Sequence, residues 1–304
     1  MSPNSVTTNI GSQVSLTSLN AANTQLQATQ KRVSTGLRAA DATDDGGAYA
    51  VAQRVRSDVG ALTTVNEQLG NAKGLVGTAL TALGKISGSV NTAKQLLVKI
   101  GDNANSQDQR DQHVASYKSL LTEVANYTDN STYNGQTLLG KTAGGPTAGT
   151  SKSVISSELG NTATISAADT SGLAATLAGL IGATFTRDAA GADTFTAAAA
   201  GADQAAASLA LTATTGATAF TTALKGVADK LNQAGADSNL LDATITSNSS
   251  KIDSLNAGLG VLVDTDLSKE AARLQALQIK QQLGTQTLSL ANQAPQSLQS
   301  LFKG

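Results

Sequence analysis

The sequence predicts a mainly α protein: a long antiparallel helical bundle or coiled coil formed by the N- and C-terminal segments, with a β-hairpin and a small inserted β or α+β outer domain. Three observations carry this. Apolar residues recur every three or four positions near both ends. The middle of the chain is dominated by Ala, Gly, Ser and Thr. Both tips are rich in Asn, Gln, Ser and Thr yet carry no charge.

In the N-terminal part, Leu19, Ala22, Leu26, Val33 and Leu37 fit one helical stripe. A break follows at Asp44-Asp45-Gly46-Gly47, where anions suit the start of the next helix. Val51, Val55, Val59 and Leu62 resume the pattern, and it runs on through Leu75 to Ile100. A further helix is expected over about 107–128, with Val114, Tyr117, Leu121 and Val124 on its buried face. Asn134-Gly135, flanked by Thr132-Tyr133 and Thr137-Leu138-Leu139, predicts a short hairpin.

Residues 141–225 predict a small β or mixed domain with short strands at 162–166 and 192–196 and a helix near 202–211. Disorder is the competing reading of that composition. Helical spacing returns at Val227 and runs to Leu262, and a last helix carries Leu267, Leu274, Leu277, Ile279, Leu283, Leu288 and Leu290. Pro295 is expected to break or bend it. These patterns divide the chain into 1–38 with 264–304, an inner helical pair; 39–140 with 226–263, an outer helical rod with hairpin; and 141–225, a variable surface-exposed domain.

Composition narrows the function. Net charge is −1 and the 21 basic residues are scattered, which leaves no nucleic-acid footprint. With no Cys, thiolate metal sites and disulfides are excluded. One histidine, His113, leaves little material for Ser–His or Cys–His catalysis and is read as a solvated helix residue. No stretch has the roughly 18 apolar residues of a membrane span. Met1–Gln30 lacks the basic and apolar regions of a Sec-type signal peptide, so if the protein leaves the cell another route must carry it.

The tips are the most informative feature. The first charge in the chain is Lys31, and Gln281 to Phe302 is also uncharged. A helix in water ordinarily carries charge on its outer face. Burying a charge costs far more than burying an amide that finds a partner. Two charge-free helices are therefore expected to meet and be enclosed by protein. The inner pair should use Leu19, Leu26, Val33, Leu274, Leu277, Leu283 and Leu290. Ile279, Leu283 and Leu290 also sit apart from Leu274, Leu277 and Leu288, which allows a second face toward neighbouring copies.

Three motifs suggest chemistry. Gly135 to Thr142 matches the pattern of a phosphate-binding loop. The polar Asp129–Thr132 before it and Ala143-Gly-Gly-Pro146 after it are wrong for the buried strand and helix such a loop needs, so chance is the reading. Asp264, Asp266 and Glu270 lack the glycine turn and ligand count of a calcium loop, and are read as helix-start residues. Asn130-Ser-Thr132 and Asn248-Ser-Ser250 match the N-glycosylation pattern, a short one given little weight here; the Ser/Thr-rich middle is the expected place for any O-glycan.

The ends also resemble a known family. Lys31-Arg-Val-Ser-Thr-Gly36-Leu37-Arg38, then Asp41-Ala-Thr-Asp44-Asp45-Gly-Gly-Ala48 and Ala50-Val-Ala-Gln-Arg54, resemble the N-terminal signature of bacterial flagellins. Asp264-Thr-Asp266 with Glu270, Leu277-Gln-Ile-Lys-Gln281-Gln282-Leu-Gly284 and Leu290-Ala-Asn292-Gln293-Ala-Pro295-Gln296 resemble the C-terminal one. Tyr133-Asn134-Gly135 to Leu139 resembles the family's hairpin. The likeness covers about 5–140 and 230–302.

The resemblance implies a filament subunit with no enzymatic activity and no cofactor. Its implied partners are further copies of itself, an export chaperone holding the C-terminal helix, and hook-associated and cap proteins. It further implies type III export and an extracellular flagellar filament whose subunits switch between two packings. A hook–filament junction protein is the alternative; the Gln293-Ala-Pro295-Gln296 tail favours flagellin. A nucleotide-binding enzyme fails on the context of its loop, and a secreted coiled-coil adhesin would not need charge-free helices. Two departures stand out. Val261-Leu262-Val263 replaces the Arg-Ile-Glu common in the family, which removes an ion pair at the bend. Thr92 and Ser116 stand where Toll-like receptor 5 contacts an Arg and an acidic residue, so weak recognition by that receptor is expected.

Overall fold

The computed structural model describes residues 9–196, 202–212 and 214–301. Residues 1–8 of the charge-free N-terminal stretch, and Phe302 and Lys303 at the other end, lie outside the described residues. The chain forms two compact units, one of residues 1–60 with 253–304 and one of residues 61–252.

The first unit contains helix α1 (Ile10–Thr35), the start of α2 (Gly46–Gly101), the end of α6 (Thr214–Val263) and α7 (Leu267–Leu301). Asn9 caps α1, its side chain accepting from Ser12 N at 3.0 Å. Gly36 ends it in the left-handed region (φ 72°), with its N–H on Arg32 O. The chain then turns through 37–45, pinned to the α6–α7 junction. Arg38 N donates to Val263 O (2.6 Å) and Thr265 N to Gly36 O (3.0 Å). Ala39, Ala52 and Val263 are buried beneath this turn, with Leu37, Leu259 and Leu262 against them. Helix α7 continues past Pro295 to Leu301, so the break expected there is corrected. A proline costs one backbone bond and a clash, and a helix with other support absorbs it.

In the second unit α2 and α6 lie antiparallel. Lys73 pairs with Asp242, Asn66 Nδ2 meets Ser249 Oγ at 3.4 Å, and Lys94 Nζ lies 5.9 Å from the Phe220 ring centre. Each pair sums to nearly the same number, so the register holds along their length. Helix α3 (Gln107–Asp129) begins with a full capping box between Ser106 and Gln109. It places Tyr117, Leu121 and Val124 in the core as its spacing predicts.

Asn134–Gly135 makes a two-residue turn with both φ positive, at 49° and 73°. Reciprocal bonds between Tyr133 and Gln136 close it, both at 2.9 Å, and the pairing stops at that one bridge. Strands β1 (Lys152–Ile155) and β2 (Thr162–Ile165) form one antiparallel pair, and β3 (Thr184–Arg187) and β4 (Asp193–Thr196) another. Between them lies the short helix α4 (Leu173–Gly179), and α5 (Ala202–Thr212) follows. Ile165, Leu177, Ile181 and Phe185 join the same core as Leu83, Ile86 and Leu121.

Candidate functional site

The terminal helices α1 and α7 are the region on which the sequence concentrates its unusual features, and in the structure they pair. On α1 a stripe of buried or half-buried positions runs Ser12, Ser15, Leu19, Ala22, Leu26, Thr29 and Val33, flanked by half-buried Asn23, Ala28, Lys31 and Arg32. On α7 they are Glu270, Leu274, Leu277, Gln281, Gly284, Leu288 and Ala291. Both sets step by alternating three and four, the signature of a coiled-coil seam.

Four contacts fix the antiparallel register. Asn9 Nδ2 donates to Ala291 O at 2.7 Å. Leu19 sits over Gly284, where an added Cβ would lie 3.1 Å from Leu19 Cδ1. Gln281 Nε2 donates to Asn23 Oδ1 at 2.8 Å. Arg32 Nη1 reaches Glu270 Oε1 at 3.3 Å. Uncharged amides thus serve the charge-free part of the pair, and the one ion pair stands at the end where charge begins.

The seam takes Leu19, Leu26, Val33, Leu274 and Leu277, but Leu283 and Leu290 are not part of it. They are 55% and 69% exposed, which corrects their placement in the inner pair. The reason is angular. Ala272, Ala276, Ile279, Leu283 and Leu290 each lie two positions beyond a seam residue, roughly 200° around the helix. Helix α7 therefore carries two stripes, one against α1 and one open. Ile279 is exposed on the open side, Leu267 is exposed in the first turn of α7 off that stripe, and α1 adds exposed Ile10, Val14 and Leu16.

The signature residues gather at the bend between helices. Lys31 Nζ holds both Asp41 and Asp44, the latter at 2.8 Å. Hydrogen bonds from Lys31 hold both carboxyls below the usual range, and those same bonds raise Lys31. Asp45 caps α2, accepting from Ala48 N at 3.0 Å, and that bond lowers its pKa. Asp44 does not cap the helix as expected; its Oδ2 closes the turn on Ala40 N and Asp41 N. Arg38 donates to Leu262 O at 2.6 Å and meets Asp45. Asp264 pairs its backbone with Leu37, while Asp266 caps α7 through Ser268 N and Lys269 N. Arg54, Gln282, Asn292 and Gln293 are exposed.

The phosphate-loop lookalike has other work. Thr142 N is turned to the Asp129 carboxylate, and Lys141 pairs its backbone with Thr147. No helix follows. Gly140 and Gly149 are required because two strands of chain cross there; a Cβ on Gly149 would overlap Leu138 O. Arg187, which no motif announces, is nine-tenths buried between Asp129 and Asp193 (both 3.2 Å) and donates to Asn126. The signal was available: it is the one arginine in the charge-poor middle.

Comparison with known proteins decides the family. The N-terminal helical region model of bacterial flagellin matches residues 6–143, and the C-terminal helical region model matches 217–302. The chain belongs to the bacterial flagellin family. Flagellin FljM of Caulobacter vibrioides is 33% identical over the full length of both chains. A flagellin of Brucella melitensis is 34% identical over 99% of each. The crystal structure of Bacillus cereus flagellin aligns with a TM-score of 0.45 at 24% identity, over 60% of this chain and 88% of that one. As a flagellin, the chain is a structural subunit of the flagellar filament.

Proposed function

We propose that the open stripe of α7, with the exposed apolar residues of α1, is the surface through which copies of this flagellin pack into the wall of the filament. One observation carries the reading. Ile279, Leu283 and Leu290 stand more than half exposed on a helix whose seam with α1 is already filled. Apolar side chains gain about 1.5–3 kcal/mol each when fully buried. The absence of charge from Gln281 to Phe302 means no ion is stranded when that part of the stripe is covered.

In this reading 1–38 with 264–304 form the inner layer, 39–140 with 226–263 the next, and 141–225 face outward. Leu19, Leu26, Val33, Leu274 and Leu277 hold the pair together, while Ile279, Leu283 and Leu290 serve the neighbour. Export through the type III channel precedes folding, with a chaperone on the C-terminal helix and hook-associated and cap proteins at the growing end. Thr92 and Ser116 are exposed and each turns its hydroxyl to its own helix (Gly88 O, Gln112 O). That supports weak recognition by Toll-like receptor 5, which a reporter-cell assay checks.

Hydrogen exchange on soluble chain and on filaments tests the packing. Amides of α7 between Leu267 and Gln293 are expected to exchange more slowly in the filament. Equal protection in both forms would leave the stripe without a partner.

A further inference from the structure

Among the described residues, Asn134 is the one non-glycine with a positive φ. It is followed by Gly135, the single Asn-Gly step in the chain. Both residues are exposed. The bonds that close the turn belong to Tyr133 and Gln136, and neither the Asn134 carboxamide nor the Gly135 N–H has a protein hydrogen-bond partner. Nothing lies within 4 Å of where a Cβ on Gly135 would stand. A carboxamide and a backbone amide are thus adjacent, unshielded and unengaged.

We propose that Asn134–Gly135 is a site of spontaneous covalent modification, converting to aspartate and isoaspartate through a cyclic imide. The Gly135 backbone nitrogen, having lost its proton to hydroxide, attacks Asn134 Cγ. A C–N bond forms, the Cγ–Nδ2 bond breaks, and the nitrogen leaves as ammonia. Water then opens the five-membered ring at either carbonyl, giving aspartate or the β-linked isomer. Water and hydroxide are the only co-reactants, and no oxidation occurs. The attack needs Asn134 to rotate out of the left-handed region, against the two Tyr133–Gln136 bonds.

Three other described steps show what holds the same chemistry back. Asp45–Gly46 has the glycine, but Asp45 is held by Ala48 N and Arg38. Asn248 is buried and donates to Ser156 O at 3.1 Å. Asn161 is exposed in a turn, but the branched side chain of Thr162 follows it and crowds the nucleophile.

The products matter to the fold. Either adds a negative charge, and Lys152 lines the same small cavity beside the turn. The isoaspartate also adds a backbone carbon, and a two-residue turn has no room for one. Tyr133 is the residue affected next, since its ring occupies the space over Gly74, 2.6 Å from where a Cβ would be.

The full-length chain, held in solution at several mildly alkaline pH values and mapped by peptide mass with enzymatic isoaspartate methylation, tests this. Loss of Asn134 is expected several-fold faster than loss of Asn161, with isoaspartate among the products and a rate that climbs with pH. Loss at Asn134 no faster than at Asn161, or no loss at all, would overturn it.

Discussion

Arg32 Nη1 lies 3.3 Å from Glu270 Oε1, so two residues 238 positions apart form an ion pair inside the seam of the terminal helices. Glu270 is 7% exposed there, and the neighbouring seam residues are Thr29, Val33 and Leu274. A polar group at a coiled-coil core position selects one register at a cost in stability.

Glu270→Leu should therefore destabilise the pair by about 1–3 kcal/mol, because Arg32 loses its partner. The R32L/E270L double variant should recover most of that loss but admit slipped registers. The chain has no cysteine, which makes cross-linking a clean readout. A Cβ on Gly284 would stand 3.8 Å from Leu19 Cβ, within disulfide range. Cysteines at 19 and 284 should cross-link nearly completely on the native background and less so on R32L/E270L. Equal yields would mean that the ion pair sets no register.

The bend should have a wide pH plateau. Lys31 is raised, so its contribution is present below the ordinary lysine value of about 10.4 and is lost as pH rises through its higher folded value. Asp41 and Asp44 are lowered, so theirs is present above about pH 3.9 and is lost as pH falls through their lower folded values. Proteolytic nicking of 36–46 should stay flat between those limits. Lys31→Met should raise nicking across the plateau and remove its alkaline edge. Nicking that already climbs near neutrality in the unaltered chain would contradict this.

Two glycines should differ sharply in tolerance. Gly149→Ala meets backbone at Leu138, which cannot move alone, and should cost about 3 kcal/mol or more, measured by denaturant unfolding. Gly74→Ala meets the outer end of the Tyr133 ring, which is exposed and can swing aside, and should cost about 1 kcal/mol. Equal costs would show that chain crossing is not what fixes Gly149.

The helices were legible because their apolar residues keep a three-to-four spacing over long runs, and the break at Asp44–Gly47 is chemically marked; the end of α1 at Gly36 was not, since the stripe reads on through Leu37. Helix α4 was not. It is seven residues long, too short for periodicity to register, and lies in a stretch of Ala, Leu, Thr and Gly that reads equally as loop. Strands β1 and β3 were missed for the same reason, while β2 and β4 coincide with the alternation at 162–166 and 192–196. The two stripes of α7 were visible as spacing, but their assignment was not. Leu283 and Leu290 look like seam residues until Glu270, Gln281 and Gly284 are seen to occupy it. A rule that puts hydrophobic residues inward fails on a helix with two insides.

Seeded elongation followed by electron microscopy tests the open stripe most directly. Purified flagellin should extend filament fragments. Leu283→Asp should retain its helix content and its 19–284 cross-link yet fail to extend them, since the change lies outside the seam and puts a charge in the contact between copies. Normal elongation by Leu283→Asp would contradict the assignment of that face to assembly.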